Sequence, residues 1–262
     1  MSASVSARAA EALVEAYCRE LKMPGLRAAH ESVAREAADH AHSYTAFLSS
    51  CLAQEIESRR CHRLATRLRG ARFPSTKTLD TFDFAVIPQV PKLKVLSLAQ
   101  GDFIRERTNL LCIGNSGTGK THIAIGLGVA SLEAGYRVRF INAVQLAQEL
   151  LLAQQEYRLP RYLASWRAID LVIVDELGYL GLGPGGPLLF QFCADRYERP
   201  GSLLITSNLE FSRWVEVFTD PALTSALLDR LCHRAEVLLF TGESYRFRQS
   251  RQGPKGVKGT RK

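Results

Sequence analysis

Eight consecutive residues, Gly114-Asn115-Ser116-Gly117-Thr118-Gly119-Lys120-Thr121, fit G-x-x-x-x-G-K-[ST] at every position. Glycines at those places let backbone N–H groups turn inward as a nest for anions. A helix opening near Lys120 points its positive end at the same spot. Lys120 supplies a point charge to the β/γ oxygens of a nucleoside triphosphate, and the Thr121 hydroxyl is a ligand for Mg²⁺. His122 closes the segment. The apolar run Leu110-Leu111-Cys112-Ile113 before the loop and the helix after it separate this match from a chance turn. The chemistry implied is binding of ATP with Mg²⁺.

A phosphate loop of this kind works with a carboxylate at the end of a second strand. Leu171-Val172-Ile173-Val174 runs into Asp175-Glu176. Asp175 is the second metal anchor, and Glu176 is placed to take a proton from an attacking water. A glutamate there favours hydrolysis over transfer to another nucleotide. Leu203-Leu204-Ile205-Thr206-Ser207-Asn208 is a third apolar run ending in polar residues. In a parallel sheet that end faces the ligand crevice, so Asn208 can reach the γ-phosphate or the water. Asn208 by itself is more often a helix cap, so its functional role rests on the other motifs. Within Leu227–Arg234, Arg230 is the candidate arginine finger and Arg234 its competitor. The competing reading of Arg230 is a surface charge on an amphipathic helix.

These residues need a scaffold of alternating strands and helices. Beyond about Val95 the sequence provides one: strands at 110–113, 137–141, 171–174, 202–206 and 237–240, separated by helical segments. Such alternation means a parallel sheet covered on both faces. The first seventy residues read instead as helices. Leu13, Tyr17 and Leu21 repeat at four, Pro24-Gly25 breaks the run, a second helix covers 26–41, and a third runs from about Tyr44 to Leu68. On the third helix Leu48, Leu52, Ile56, Leu64 and Leu68 mark an apolar face, while Arg59, Arg63 and Arg67 share another. The stretch Phe73 to Pro91, with Pro74, Pro88 and Pro91, has no helical period and reads as a linker anchored by Phe73, Phe82 and Phe84.

The chain has 262 residues, 46% hydrophobic and 23% charged, which excludes a disordered polymer. Net charge is +8, yet two segments carry it. Residues 59–77 and 246–262 each hold seven bases and no acid, leaving the rest at −6. Basic segments on an acidic body suit phosphate backbones, so Arg59, Arg60, Arg63 and Arg67 are candidate DNA contacts. The tail 249–262, rich in glycine, reads as disordered. No apolar run reaches the ~18 residues of a spanning helix, and no secretory stretch opens the chain, so the expected site is the cytoplasm. None of the six cysteines stands at C-x-x-C spacing, which points to reduced, inert thiols rather than zinc.

The whole pattern resembles the IstB family, ATP-binding helper proteins of insertion-sequence transposases within the DnaC-like branch of AAA+ ATPases. The matching words are Gly119-Lys120-Thr121-His122, Asp175-Glu176-Leu177-Gly178-Tyr179, Thr206-Ser207-Asn208-Leu209, Leu228-Asp229-Arg230-Leu231 and Gly242-Glu243-Ser244-Tyr245-Arg246. The linker words Ala71-Arg72-Phe73-Pro74, Lys77-Thr78-Leu79 and Phe82-Asp83-Phe84 match as well, so the resemblance runs to about Arg248. It implies an α/β fold: an AAA+ core with a parallel five-stranded sheet at 95–248, a small all-α N-terminal domain at 1–70 and a linker at 71–94. It implies no C-terminal lid and no second sensor. It also implies a bacterial, DNA-associated homo-oligomer on duplex DNA, an integrase-like transposase as partner and no membrane. The finger role falls to Arg230 and the sensor role to Asn208. Asn115-Ser116 replaces the Pro-Pro often found in the family, with no loss of phosphate binding expected. A helicase loader of the DnaC type is the alternative.

Overall fold

The computed structural model describes residues 2–242 and 244, apart from 88, 180 and 219. The basic tail and the words around Glu243, Tyr245 and Arg246 lie outside the described residues. Two compact units divide between Thr66 and Arg67.

The first unit is helical: α1 (Ser2–Glu20), α2 (Pro24–Asp39) and α3 (Tyr44–Ala71), which continues past the division. Pro24 suits the first turn of α2 because that position needs no N–H donor. The next two amides are capped from α3, where Glu55 Oε2 accepts from Gly25 N at 2.7 Å and Leu26 N at 3.0 Å. Arg59 Nε donates to the other oxygen at 2.6 Å. Burial alone would raise the Glu55 carboxyl; the hydrogen bonds from Leu26, Arg59 and Gly25 outweigh it and hold the group below its ordinary value. A depressed carboxylate stabilises the fold above its unfolded value near pH 4, and that contribution is lost as pH falls through the folded value. Glu55→Ala is expected to cost about 1–3 kcal/mol, because two amides and a guanidinium lose their acceptor. Faster hydrogen exchange at Gly25 and Leu26 in the variant is the check; unchanged protection would show the cap to be dispensable.

The apolar stripes behave differently from their spacing. Leu13, Tyr17, Leu21, Leu48, Leu52 and Ile56 are 43–65% exposed, while Cys18, Val33 and Cys51 are the buried apolar side chains of this unit among the described residues. The helices meet through smaller neighbours, one position along from Tyr17 and one before Leu52. Periodicity locates a stripe, but close approach selects the small residues beside it.

The second unit opens with the linker, a 3₁₀ turn at Phe84–Val86, then α4 (Lys92–Leu98) and α5 (Asp102–Arg105). The core follows in order: β1 (Asn109–Gly114), α6 (Lys120–Glu133), β2 (Val138–Asn142), α7 (Ala143–Gln155), α8 (Leu159–Ser165), β3 (Leu171–Leu177), α9 (Gly186–Tyr197), β4 (Ser202–Ser207), α10 (Val215–Phe218), α11 (Pro221–Cys232) and β5 (Ala235–Phe240). The five strands form one parallel sheet ordered β2-β3-β4-β1-β5. Each strand expected from sequence is present to within a few residues. The continuous apolar runs of β1, β3 and β4 are buried on both faces, as Leu110, Leu111, Val172, Ile173, Leu203 and Leu204 show, while on the edge strand β5 Val237 and Leu239 are exposed.

Phe73 sits edge-on to Phe140 of β2 at 6.2 Å, and Phe82 meets His122 of α6 at 5.1 Å, so these two rings hold the linker to the core, while Phe84 packs on Phe82 at 4.8 Å. β5 is the last element among the described residues, and no helical lid follows it there. No helix among them is long and apolar enough to cross a membrane. All six cysteines are free, but Cys61 and Cys232 are exposed rather than buried. Cys112, enclosed in β1, has its thiol pushed up to about 12 by burial, so it is chemically inert.

Candidate nucleotide site

The carboxyl ends of β1, β2, β3 and β4 meet at one rim of the sheet, and register decides which side chains share it. Asn142 lies opposite Asp175, and Ser207 opposite both Ile113 and Leu177. Between Val174 and Leu177 the pairing slips by a bulge. Glu176 occupies that bulge with φ of +61°, a left-handed conformation that costs a non-glycine residue roughly 1 kcal/mol or more. The bulge turns Glu176 out to solvent while Asp175 stays buried.

The loop between β1 and α6 closes the other side. Gly114 has φ of +147°, and a Cβ there would run into the Phe240 carbonyl of β5. Gly119, at φ +96°, is the N-cap of α6, and a Cβ would press on Phe82 at 2.6 Å. Lys120 is buried, with Nζ donating to the carbonyls of Gly114 and Asn115 at 2.7 Å each. Thr118 Oγ1 also donates to Asn115 O. The exposed side chains of Asn115 and Ser116 take no part in these bonds.

Thr121 and Asp175, the two residues of the metal reading, lie side by side. Thr121 Oγ1 donates to Asp175 Oδ1 at 2.9 Å and lies 3.2 Å from Oδ2. Thr206 Oγ1 donates to Asp175 Oδ1 at 2.6 Å and accepts from Glu176 N at 2.9 Å. Glu176 Oε2 accepts from Asn142 Nδ2 at 3.0 Å, and Asn142 Oδ1 caps α7 through Val144 N. Asn142 and Thr206 were not singled out as site residues by sequence reasoning. The signal was available: both end a strand on the crevice side of a parallel sheet.

A cleft of about 290 Å³ joins these groups, lined by Ser116 to His122, Glu176, Tyr179, Thr206, Asn208 and linker residues including Lys77, Phe82 and Ile87. Asn208 faces it with Oδ1 buried and no hydrogen-bond partner among the described residues. His122 has a different role from its neighbours in the loop. Its Nε2 donates to Thr78 O at 2.9 Å and its ring meets Phe82 at 5.1 Å, so it fastens the linker over the cleft. Arg230 is absent from the cleft wall; its Nη1 donates to Ala226 O and its guanidinium lies 5.3 Å from the Phe190 ring. Arg234 is exposed.

A family model described as "IstB-like ATP binding protein" matches residues 16–253. The chain belongs to the IstB-like ATP-binding family. Among curated relatives of this family, the ATP-binding protein of insertion sequence IS21 from Pseudomonas aeruginosa is 38% identical, covering 94% of this chain and 93% of that one. The corresponding protein of IS5376 from Geobacillus stearothermophilus is 36% identical over 91% of this chain and 95% of its own. In fold the chain is similar to the DnaC helicase loader, at TM-score 0.50 and 20% identity over 63% of this chain and 96% of that chain. AMPPCP-bound DnaA from Aquifex aeolicus is similar at TM-score 0.54 and 18% identity, over 69% of this chain and 54% of that chain. The sheet order and these neighbours give the second unit an AAA+-type fold. This IstB-like chain is therefore an ATP-binding protein of the insertion-sequence type.

The candidate DNA arginines divide. Arg59 is tied to Glu55 and to Lys22 O, and its charge is largely answered within the helical unit. Arg60 and Arg63 are exposed, while Arg67, in the second unit, is half-buried near Gly135.

Proposed function

We propose that this chain is an ATP-hydrolysing helper of transposition that assembles on duplex DNA and directs an integrase-like transposase. The observation that carries hydrolysis is the pairing of Glu176 with Asn142 beside the Asp175–Thr121–Thr206 cluster. A chain built only to hold nucleotide needs no exposed carboxylate on a strained bulge. Glu176 takes the proton from the attacking water, and Asn142 aims it. Lys120 and the loop amides hold the phosphates. Asn208 turns its amide to the γ-phosphate, and Arg230 of a neighbouring copy reaches the same group.

Thr121 Oγ1 and the Asp175 carboxylate are hard oxygen donors within hydrogen-bond distance of each other, the sparse protein contribution that suits Mg²⁺ on substrate phosphates. They would hold it. When bound, Mg²⁺ neutralises phosphate charge. The transposition reading rests on the insertion-sequence relatives at 36–38% identity, against which the helicase-loader likeness stands at 20% and concerns fold.

Glu176→Gln tests both halves. The amide cannot accept the proton, so turnover is expected to fall by roughly 10²–10⁴ while ATP still binds. ATP-dependent complexes on duplex DNA, seen by electron microscopy and timed by filter binding, should outlive those of the wild type. Normal turnover would remove Glu176 from the chemistry. Complexes that ignore ATP would remove the assembly cycle.

A further inference from the structure

We propose that Arg72 and Arg139 form a second anion site, separate from the phosphate loop, which takes one phosphodiester of a nucleic-acid backbone. The proposal rests on the DNA-binding reading above and names a contact point for it.

A second cavity, of about 190 Å³, is lined by Arg72, Arg139, Asn142 and Gln145 together with Pro74, Phe140 and Ile141. It shares no lining residue with the nucleotide cleft. Two guanidiniums face it and no carboxylate does. Among the described residues neither arginine side chain forms a hydrogen bond or ion pair. Two neighbouring cations without an ion-pair partner are unfavourable by themselves and favourable around an anion. Glu149, whose charge acts on Arg139 from a distance, forms no ion pair with either arginine: its Oε1 accepts from Gln145 Nε2 at 2.8 Å and its Oε2 from Tyr162 OH at 2.7 Å. The Arg139 guanidinium is lowered from its ordinary value by burial first and by the charge of Arg72 second.

Both arginines are held in place. Arg139 projects from β2, an edge strand, and its guanidinium lies 5.6 Å from the buried Trp166 ring. Stacking orients the planar fork. Arg72 follows the last residue of α3 with φ of +59°, a conformation usual for glycine or asparagine at that place. The strain aims a charged residue where a neutral one would sit more easily. Arg72 and Gln145 are exposed, so the anion arrives from solvent. A guanidinium fork matches the two free oxygens of a phosphodiester.

The test measures binding of the full chain to labelled duplex DNA, with saturating AMPPCP and Mg²⁺ filling the first site. Salt is varied between about 50 and 200 mM. Arg72→Gln and Arg139→Gln should each make the log–log salt slope shallower by about one, equally on unrelated sequences. Arg72→Lys should restore most of the slope. Because Arg72 is exposed, its variants report without a change in packing. Unchanged slopes in both glutamine variants, with wild-type binding intact, would overturn this site and leave the DNA reading standing. Failure of the wild type to bind duplex would overturn the DNA reading, and this site with it. Millimolar inorganic phosphate raising the thermal midpoint of wild type but not of Arg72→Gln, with slopes unchanged, would mark a free-anion site instead. Protection by polyglutamate with unchanged slopes would assign it to an acidic protein. Either result overturns the nucleic-acid assignment.

Discussion

Lys120→Ala is expected to weaken ATP binding by about 4 kcal/mol, roughly a thousandfold, while the fold survives. The ammonium is buried at the mouth of α6 and is the only basic side chain within the loop itself. Removing it leaves the phosphates facing a nest of amides with no full charge to answer theirs. The two loop carbonyls it holds, on Gly114 and Asn115, are also released, so the loop loses its preset shape. Both effects act in the same direction. Titration with a fluorescent ATP analogue reads the affinity, and circular dichroism confirms that the sheet is intact. Tight binding by a folded variant would mean that the cleft over Gly119 is not the nucleotide site.

The second large effect belongs to Arg230. Its guanidinium rests against Phe190 and Ala226 and takes no part in the cleft of its own chain. A finger helps only where it reaches a γ-phosphate, so the proposed role requires a second subunit to present it. Arg230→Ala should then leave ATP binding unchanged and reduce DNA-stimulated hydrolysis by roughly a thousandfold or more. Mixing supplies the decisive measurement. Arg230→Ala protein keeps an intact site, and Lys120→Ala protein keeps an intact finger. Each alone should be inactive, and a mixed assembly on DNA should recover activity. Co-assembly without recovery would dismiss Arg230 and turn attention to the exposed Arg234.

Local words carried most of the nucleotide site. Gly114 to Thr121 is contiguous, and its chemistry follows from residue types that cannot be rearranged by folding. Asp175-Glu176 was legible for a similar reason, since a buried apolar run must end at the rim of its sheet. Distant partners were harder. Asn142 is 34 positions from Glu176, and Thr206 is 31 from Asp175. Nothing local distinguishes a strand-end asparagine that holds a carboxylate 34 positions away from one that only caps α7; Asn142 does both.

The sequence by itself determined the class of fold, the five strands, the place of the glycine-rich loop between β1 and α6 and the family, because each depends on short-range pattern or contiguous words. Tertiary structure alone decided the rest. Register and the bulge at Val174–Leu177 turned two adjacent acids in opposite directions, Asp175 inward and Glu176 outward. Packing set small residues, not the periodic leucines, between the N-terminal helices. Edge position and the φ of one residue brought Arg72 and Arg139, 67 positions apart in the chain, to a common cavity. Spacing along a chain reports which residues share a face of one element. Only the meeting of elements fixes which of those faces oppose each other, and there the charges, hydrogen bonds and burial that make a site are decided.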